Sequence, residues 1–276
     1  MRVCGPVLGR FGDPDAWIAA LQARGYRAAG WLPDNGMGPL AAEYAAAARK
    51  AGIVIGEICV WCSPVTDDPA ARREALALCK QHLAAAETVG ARCCVNVSGS
   101  RGGKVNEPDP RNLTEETFEM VVESVREIID AVDPKATFYT LEPMPWMYPD
   151  TTDNYLRLIR AVDRKAFAVH YDPVNLVSTV QKYWNTGREV REFCRKLGPY
   201  IRAVHAKDIL LKNELTLHMY EVRPGLGNFD YHKLVRELGR LDDEVVVAVE
   251  HLGSQEEFDV AAEHIQAVAV RASVTA

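Results

Sequence analysis

TFYTLEPMP, residues 137–145, reads as a buried strand that ends in a carboxylate, Glu142, where the chain breaks into a Pro-rich loop. A charge at the end of an apolar run is costly unless a salt bridge, a raised pKa or a metal ion compensates it. The pattern recurs three times downstream. AFAVHY (166–171) leads into Asp172, IRAV (201–204) into His205, and VVVAV (245–249) into Glu250. Four successive apolar strands, their terminal residues spaced 30, 33 and 45 apart, each deliver an oxygen or nitrogen donor at the C-terminal end. Together they point at one common mouth.

Working outward, the same rhythm fills the chain. Strands are predicted at 3–8, 28–32, 54–61 and 92–97, followed by the four that carry Glu142, Asp172, His205 and Glu250. Helices are predicted after each of them. Asp13-Pro14 starts the first as N-cap and first turn. Gly52 and Gly90 stop the helices 39–51 and 69–89. Later helices are predicted at 114–132, 152–162, 187–197, 231–241 and 255–271. The segments 98–112 and 208–228 read as long loops, and their Gly-rich stretches (98–103 and 223–227) as mobile covers of the mouth. Continuous apolar strands are expected when both sheet faces are covered. Eight strand–helix units over 276 residues predict an α/β fold, a single (β/α)8 TIM barrel spanning 1–276, with a doubly wound open sheet as the runner-up. In a barrel, residues at the C-terminal strand ends face the active-site mouth.

Composition bounds the function. The chain is 48% hydrophobic and 25% charged, with net charge −6. An acidic chain offers no electrostatic footprint for nucleic acid. No apolar run is long enough to span a bilayer, and the N-terminus is too broken by Gly and Pro for a signal peptide. Seven cysteines (4, 59, 62, 79, 93, 94, 194) lack framework spacing, and a lone C-x-x-C at Cys59 and Cys62 reads as buried free thiols in a reducing cytoplasm. Cytoplasmic localisation is the expectation.

Three carboxylates and one imidazole suit one hard or borderline divalent ion: Mn2+ first, with Mg2+, Co2+ or Zn2+ as alternatives. The plainer reading makes each an ordinary strand-end polar residue paired with a helix N-terminus or an Arg. The order Glu, Asp, His, Glu on strands five to eight resembles the xylose-isomerase-like TIM-barrel sugar (phosphate) isomerase/epimerase superfamily. The segments that carry the resemblance are LEPMPWMY around Glu142, HYDPVN around Asp172, VHAKD around His205, RPGLGNFDY at 223–231 and VVVAVEH around Glu250. The resemblance implies that Glu142, Asp172, His205 and Glu250 hold the metal. It also implies that Glu142 and Glu250 act as an acid/base pair from opposite sides of a small keto-sugar or polyol, moving a proton through an enediolate. The sequence departs from the ketose 3-epimerases of that superfamily at two positions, with Asn175 in place of a His and Leu211 in place of an Arg. The apurinic endonucleases of the superfamily need further His ligands, and this chain has only His82 before Glu142.

Further substrate-binding candidates are His170, two residues before Asp172 on the same face; Asn175; Lys207, two after His205; Arg223 in the Gly-rich loop; Trp146 beside Glu142; and Asn96 at the end of strand four. For most the plainer alternative stands open: a satisfied core His at 170, a structural salt bridge for Lys207, a solvated Arg at 223. Trp31, Trp61 and Trp184 also sit near strand ends or in loops, where an aromatic wall packs the apolar face of a sugar. His251, one step past Glu250, is expected to point away. Two other functions remain open: a lyase or dehydratase on the same site, acting on a keto-inositol or 3-keto-glycoside, and a non-catalytic sugar-binding or scaffold barrel. A carbohydrate partner is expected, with homo-oligomerisation suggested by analogy alone.

Overall fold

The computed structural model describes residues 1–242 and 244–274. In chain order it comprises β1 (Arg2–Cys4), α1 (Pro14–Gln22), β2 (Ala28–Ala29), α2 (Ala41–Ala51), β3 (Val54–Ile55), β4 (Glu57–Cys59), α3 (Pro69–Val89), β5 (Cys93–Asn96), α4 (Glu115–Val132), β6 (Phe138–Leu141) and α5 (Thr152–Val162). Then follow β7 (Phe167–Tyr171), α6 (Val180–Tyr183), α7 (Thr186–Leu197), β8 (Ile201–Ala206), β9 (Asp208–Lys212), β10 (His218–Val222), α8 (Tyr231–Leu238), β11 (Val246–Val249) and α9 (Gln255–Val274).

Seven strands form one curled sheet in the order β1-β11-β8-β7-β6-β5-β4, and every ladder in it is parallel. The first and last barrel strands are hydrogen-bonded neighbours, with Val3 opposite Val247. The ring is completed by β2 and β3, paired in parallel with Ala28 opposite Val54. β2 packs against β1 without a ladder. β3 and β4 are one chain path bent at Gly56, whose N–H donates to Ala29 O at 2.8 Å while that of Glu57 donates to Gly30 O at 2.8 Å. A Cβ on residue 56 would sit 2.7 Å from Gly30 O, so the second and third barrel strands approach more closely than a side chain permits. The architecture is the TIM barrel expected from the sequence.

The barrel strands bury almost all of their residues, because the pore side is filled and the outer side is covered by helices. The helix ends follow the expected chemistry. Asp13 accepts from Asp15 N and Ala16 N at the start of α1, and Asp68 from Ala70 N at the start of α3. Gly52 and Gly90 close α2 and α3 in left-handed conformations, with φ of 68° and 74°. No helix among the described residues is long and apolar enough to cross a membrane.

The segment 208–228 differs from the expectation. It holds an antiparallel hairpin, β9–β10, with Leu210 opposite Tyr220. Its base is organised by the buried Asp208, whose carboxylate accepts from the N–H groups of Ile209, Gly225, Gly227 and Phe229 at 2.8–3.1 Å. The Gly-rich loop 98–103 is similarly tied down. Arg101 pairs with Asp67, and its N–H donates to Asn112 Oδ1 at 2.8 Å. Gly99 has φ +86°, and a Cβ there would lie 2.4 Å from Ser63 Cα. Strained backbone and overpacking add at this position, so Gly99→Ala is expected to lower stability by about 2–4 kcal/mol in urea unfolding. A loss below about 1 kcal/mol would show that the two loops can separate freely.

Candidate metal centre

At the C-terminal ends of β6, β7, β8 and β11 the chain brings together Glu142, Asp172, His205 and Glu250. Each offers one donor atom, and the four atoms lie within 4.8 Å of one another. The strands put them there for a simple reason: parallel barrel strands end at the same rim, and the last inward-facing residue of each looks across the mouth. All four are buried. His205 Nδ1 lies 3.0 Å from Glu250 Oε2 and 3.5 Å from Glu142 Oε1.

Lys207 joins them. Its Nζ is 2.7 Å from Asp172 Oδ2, 2.6 Å from Glu250 Oε1 and 3.6 Å from Glu221 Oε2, and it is buried. Asp172 Oδ2 and Glu250 Oε1 are thus ion-paired to Lys207, and His205 Nδ1 to Glu250 Oε2 and Glu142 Oε1, and beyond these pairs none of the three atoms has a hydrogen-bond partner among the described residues. Three buried carboxylates and one imidazole whose donor atoms converge within 4.8 Å, held together by ion pairs, fit a divalent cation. The charges on the four follow their surroundings. Burial pushes Asp172 up to about 7 against the pull of Lys207. Burial also acts to raise Glu142 and Glu250, but the His205 imidazole beside them holds both below the usual carboxylate range. His205 is itself disfavoured as a cation by burial, yet Glu250, Glu57 and Glu142 raise it well above an ordinary histidine.

One residue of the centre had a sequence signal that reading strand ends alone passes over. Glu57 lies in the middle of the apolar run VIGEICVW (54–61) and is 1% exposed. From β4 it reaches across the barrel to His205 Nε2 at 2.9 Å and His170 Nε2 at 2.8 Å. The two imidazoles meet edge to face, 4.1 Å between centroids. His205 is thereby oriented with Nε2 on Glu57 and Nδ1 toward the cluster, the carboxylate–histidine arrangement that fixes metal-binding imidazoles. Glu57 is held below the usual range because the two histidines outweigh the burial that would raise it.

The other candidates separate. Asn175 donates from Nδ2 to Glu142 Oε1 at 3.1 Å and lines the cavity above the cluster, as do Lys207 and Trp146. His170 is wholly buried behind Glu57 and is not among the lining residues. Asn96 faces the other way. Its amide contacts the sulfurs of Cys62 and Cys79 and the hydroxyl of Tyr139 at 3.2–3.6 Å, beneath α3. Arg223 does not line the cavity either, and Trp184 lies in a separate surface recess with Arg188, Arg191 and Lys233. His251, expected to point away, lines the mouth with Nδ1 3.0 Å from Glu221 Oε1. The strand has ended at Val249, and a left-handed φ of 56° at His251 breaks the alternation on which the expectation rested. Glu221 itself comes from the hairpin. The C-x-x-C splits: Cys59 turns to Glu57, while Cys62 Sγ lies 3.3 Å from Cys79 Sγ, and all seven cysteines are free.

Residues 18–269 match the model of the family described as xylose isomerase-like TIM barrel. The chain belongs to that family. Among curated proteins none matches this xylose isomerase-like sequence. Solved structures share its fold at low identity. A xylose isomerase-like TIM barrel protein from Mycobacterium smegmatis in complex with magnesium is 18% identical, with TM-score 0.67 over 95% of this chain and 90% of that one. The probable 3-DHS dehydratase AsbF of Bacillus anthracis, involved in petrobactin synthesis, is 14% identical, with TM-score 0.72 over 96% and 97%. D-psicose 3-epimerase from Clostridium cellulolyticum H10, solved with D-tagatose, is 15% identical, with TM-score 0.69 over 99% of both. The neighbours of this xylose isomerase-like barrel thus include epimerases and a dehydratase.

Proposed function

We propose that this barrel, as one domain, is a divalent-metal-dependent isomerase or epimerase of a small keto-sugar or polyol. The observation that carries the reading is the convergence of Glu142, Asp172, His205 and Glu250, one donor atom of each within 4.8 Å of the others, with Glu142, His205 and Glu250 lining an open cavity and Asp172 buried beside them. Glu142, Asp172, His205 and Glu250 would hold the cation, Mn2+ first, which when bound supplies Lewis-acid polarisation of the substrate carbonyl.

The chain's own part is proton movement. Glu142 and Glu250 come from β6 and β11, separated by β7 and β8 in the sheet, and both line the cavity. Both are held ionised, as a base must be. Either can therefore serve as the base, and a carbon between them inverts when it gives its proton to one carboxylate and recovers one from the other after that group has taken up a proton from solvent. Return from the same carboxylate to the neighbouring carbon isomerises instead. Asn175 fixes Glu142 by its amide N–H, and Lys207 places a fixed positive charge beside Glu250. Solvent deuterium uptake next to the carbonyl, screened over keto-sugars and inososes with the metal-loaded protein, tests this reading. Binding without exchange in any of them would favour a sugar-binding barrel. Exchange with loss of a β-substituent would identify the dehydratase alternative, which the two departures at Asn175 and Leu211 from the ketose 3-epimerases keep in view.

Glu57 acts here as a positioning residue. Glu57→Gln removes the charge that His205 and His170 share while keeping the shape. It is expected to weaken divalent-cation binding about 10–100-fold in calorimetric titration, with circular dichroism unchanged. Equal affinity would place the orientation of His205 elsewhere.

A further inference from the structure

The cavity above the cluster holds about 770 Å3, in the upper part of the roughly 300–1,000 Å3 range of small-molecule sites. At about 30 Å3 per water that is room for about 25 waters, whereas a hexose has only about a dozen non-hydrogen atoms. The cavity lining is of two kinds. One is the charged cluster already described, with Glu221 and His251. The other is apolar: Trp31, Trp61, Val97, Met144, Trp146 and Phe258. Trp31 and Trp61 follow β2 and β4, across the ring from the β7 and β8 ends that carry Asp172 and His205. Trp61 is 45% exposed and Trp146 37%, unusual for indoles of a folded barrel unless something covers them.

Several polar groups beside these apolar side chains are engaged within the protein, while the Asn106 side-chain amide and the indole N–H groups of Trp31 and Trp61 are not, among the described residues. Asn35 uses its amide N–H on Cys59 O at 2.6 Å and its carbonyl on Cys59 N at 2.8 Å. The Cys59 thiol contacts Glu57, and Trp146 Nε1 donates to Asn106 O at 3.2 Å. A second sugar ring would find only the Asn106 amide and those two indole N–H groups for all of its hydroxyls. Nor is there a home for a phosphate or carboxylate. The cationic side chains among the lining residues are His205, Lys207 and His251, and each has a carboxylate oxygen within 3.0 Å.

We propose that the site takes a neutral keto-sugar still joined to a flat aromatic group, with the sugar over the carboxylates and the aromatic ring against Trp61 and Trp31. This rests on the reading of the metal centre as a keto-sugar site, and it goes further by naming the attached group. Aromatic rings stack on indole with a gain beyond area burial, and three indoles line this cavity.

The test uses binding, which the reaction does not obscure. Phenyl and methyl glycosides of the same sugars, cellobiose and glucose 6-phosphate are titrated into the metal-loaded protein by calorimetry and by quenching of indole fluorescence. The expected result is a phenyl glycoside bound at least tenfold more tightly than its methyl counterpart and than cellobiose, with glucose 6-phosphate weakest. Trp61→Ala should cut the phenyl-to-methyl ratio below threefold, and Trp61→Phe should restore most of it. A ratio near one in the unmodified protein, tighter binding of cellobiose or the phosphate, or no binding of any glycoside overturns the proposal. The reading of the reaction stands or falls separately, since deuterium exchange of a simple keto-sugar at the loaded centre does not involve Trp61.

Discussion

Glu142→Gln and Glu250→Gln are each expected to reduce turnover by about 10²–10⁴-fold while leaving the barrel folded. Either change removes a proton-transfer group and keeps the size of the side chain. The fold tolerates the loss because neither carboxylate stands alone against the rest. Without the Glu250 charge, Lys207 still pairs with Asp172, and His205 still pairs with Glu57. Without the Glu142 charge, His205 retains Glu250 and Glu57. Turnover is the first measurement, once the exchange screen has supplied a substrate, with thermal unfolding as the control for structure. Normal turnover in either variant sinks the two-carboxylate assignment.

Lys207→Met is expected to cost about 3–5 kcal/mol of stability in the metal-free protein, the range for removing one partner of a buried ion pair. Lys207 is 2% exposed and stands within 2.7 Å of both Asp172 and Glu250. Methionine fills similar space without charge, so what changes is the electrostatic balance. Asp172, Glu142 and Glu250 would then face one another, with His205 the buried imidazole paired with Glu142 and Glu250. The penalty should depend on pH in a definite direction. The Asp172 carboxyl is raised to about 7 in the fold, above its unfolded value. The stability it contributes is therefore present at low pH and lost as pH rises through about 7. The variant should lose more at pH 8 than at pH 6, and a divalent cation should restore much of the loss at pH 8. Equal stability of variant and parent at pH 8 without metal would mean that Lys207 is not the cation balancing these carboxylates.

Much of this was legible in the sequence, for identifiable reasons. Apolar runs such as VVVAV and AFAVHY occur because barrel strands are covered on both sides, and the rule that the last inward residue looks into the mouth locates Glu142, Asp172, His205 and Glu250 without any coordinates. The same rule passes over Glu57, which lies at the beginning of β4, below the rim, where its partners come from the opposite wall. Parity also misleads wherever the strand has stopped. Asn96 ends an apolar run, yet its amide turns outward to Cys79 on α3. His251 should oppose Glu250, yet a left-handed residue brings it back to the mouth. Leu210, Tyr220 and Glu221 lie in a segment rich in polar and turn-forming residues, so an edge hairpin there left no clear periodicity, and with it went the origin of Glu221. Aromatic walls are visible as isolated tryptophans, but which of them face one cavity depends on ring closure, which local patterning does not encode.

The reach of Glu57 from β4 to the imidazoles of β7 and β8 has a consequence for how the chain can be cut. The clamp and the histidines it orients lie on opposite sides of a cut between the first four and the last four barrel strands. A half containing the first four barrel strands would bury a lone carboxylate, and its complement would hold His170 without its counter-ion and His205 without the group that orients its Nε2. Such fragments should be poorly soluble apart and should recover cation affinity only when co-expressed, since the centre exists only once the circle has closed.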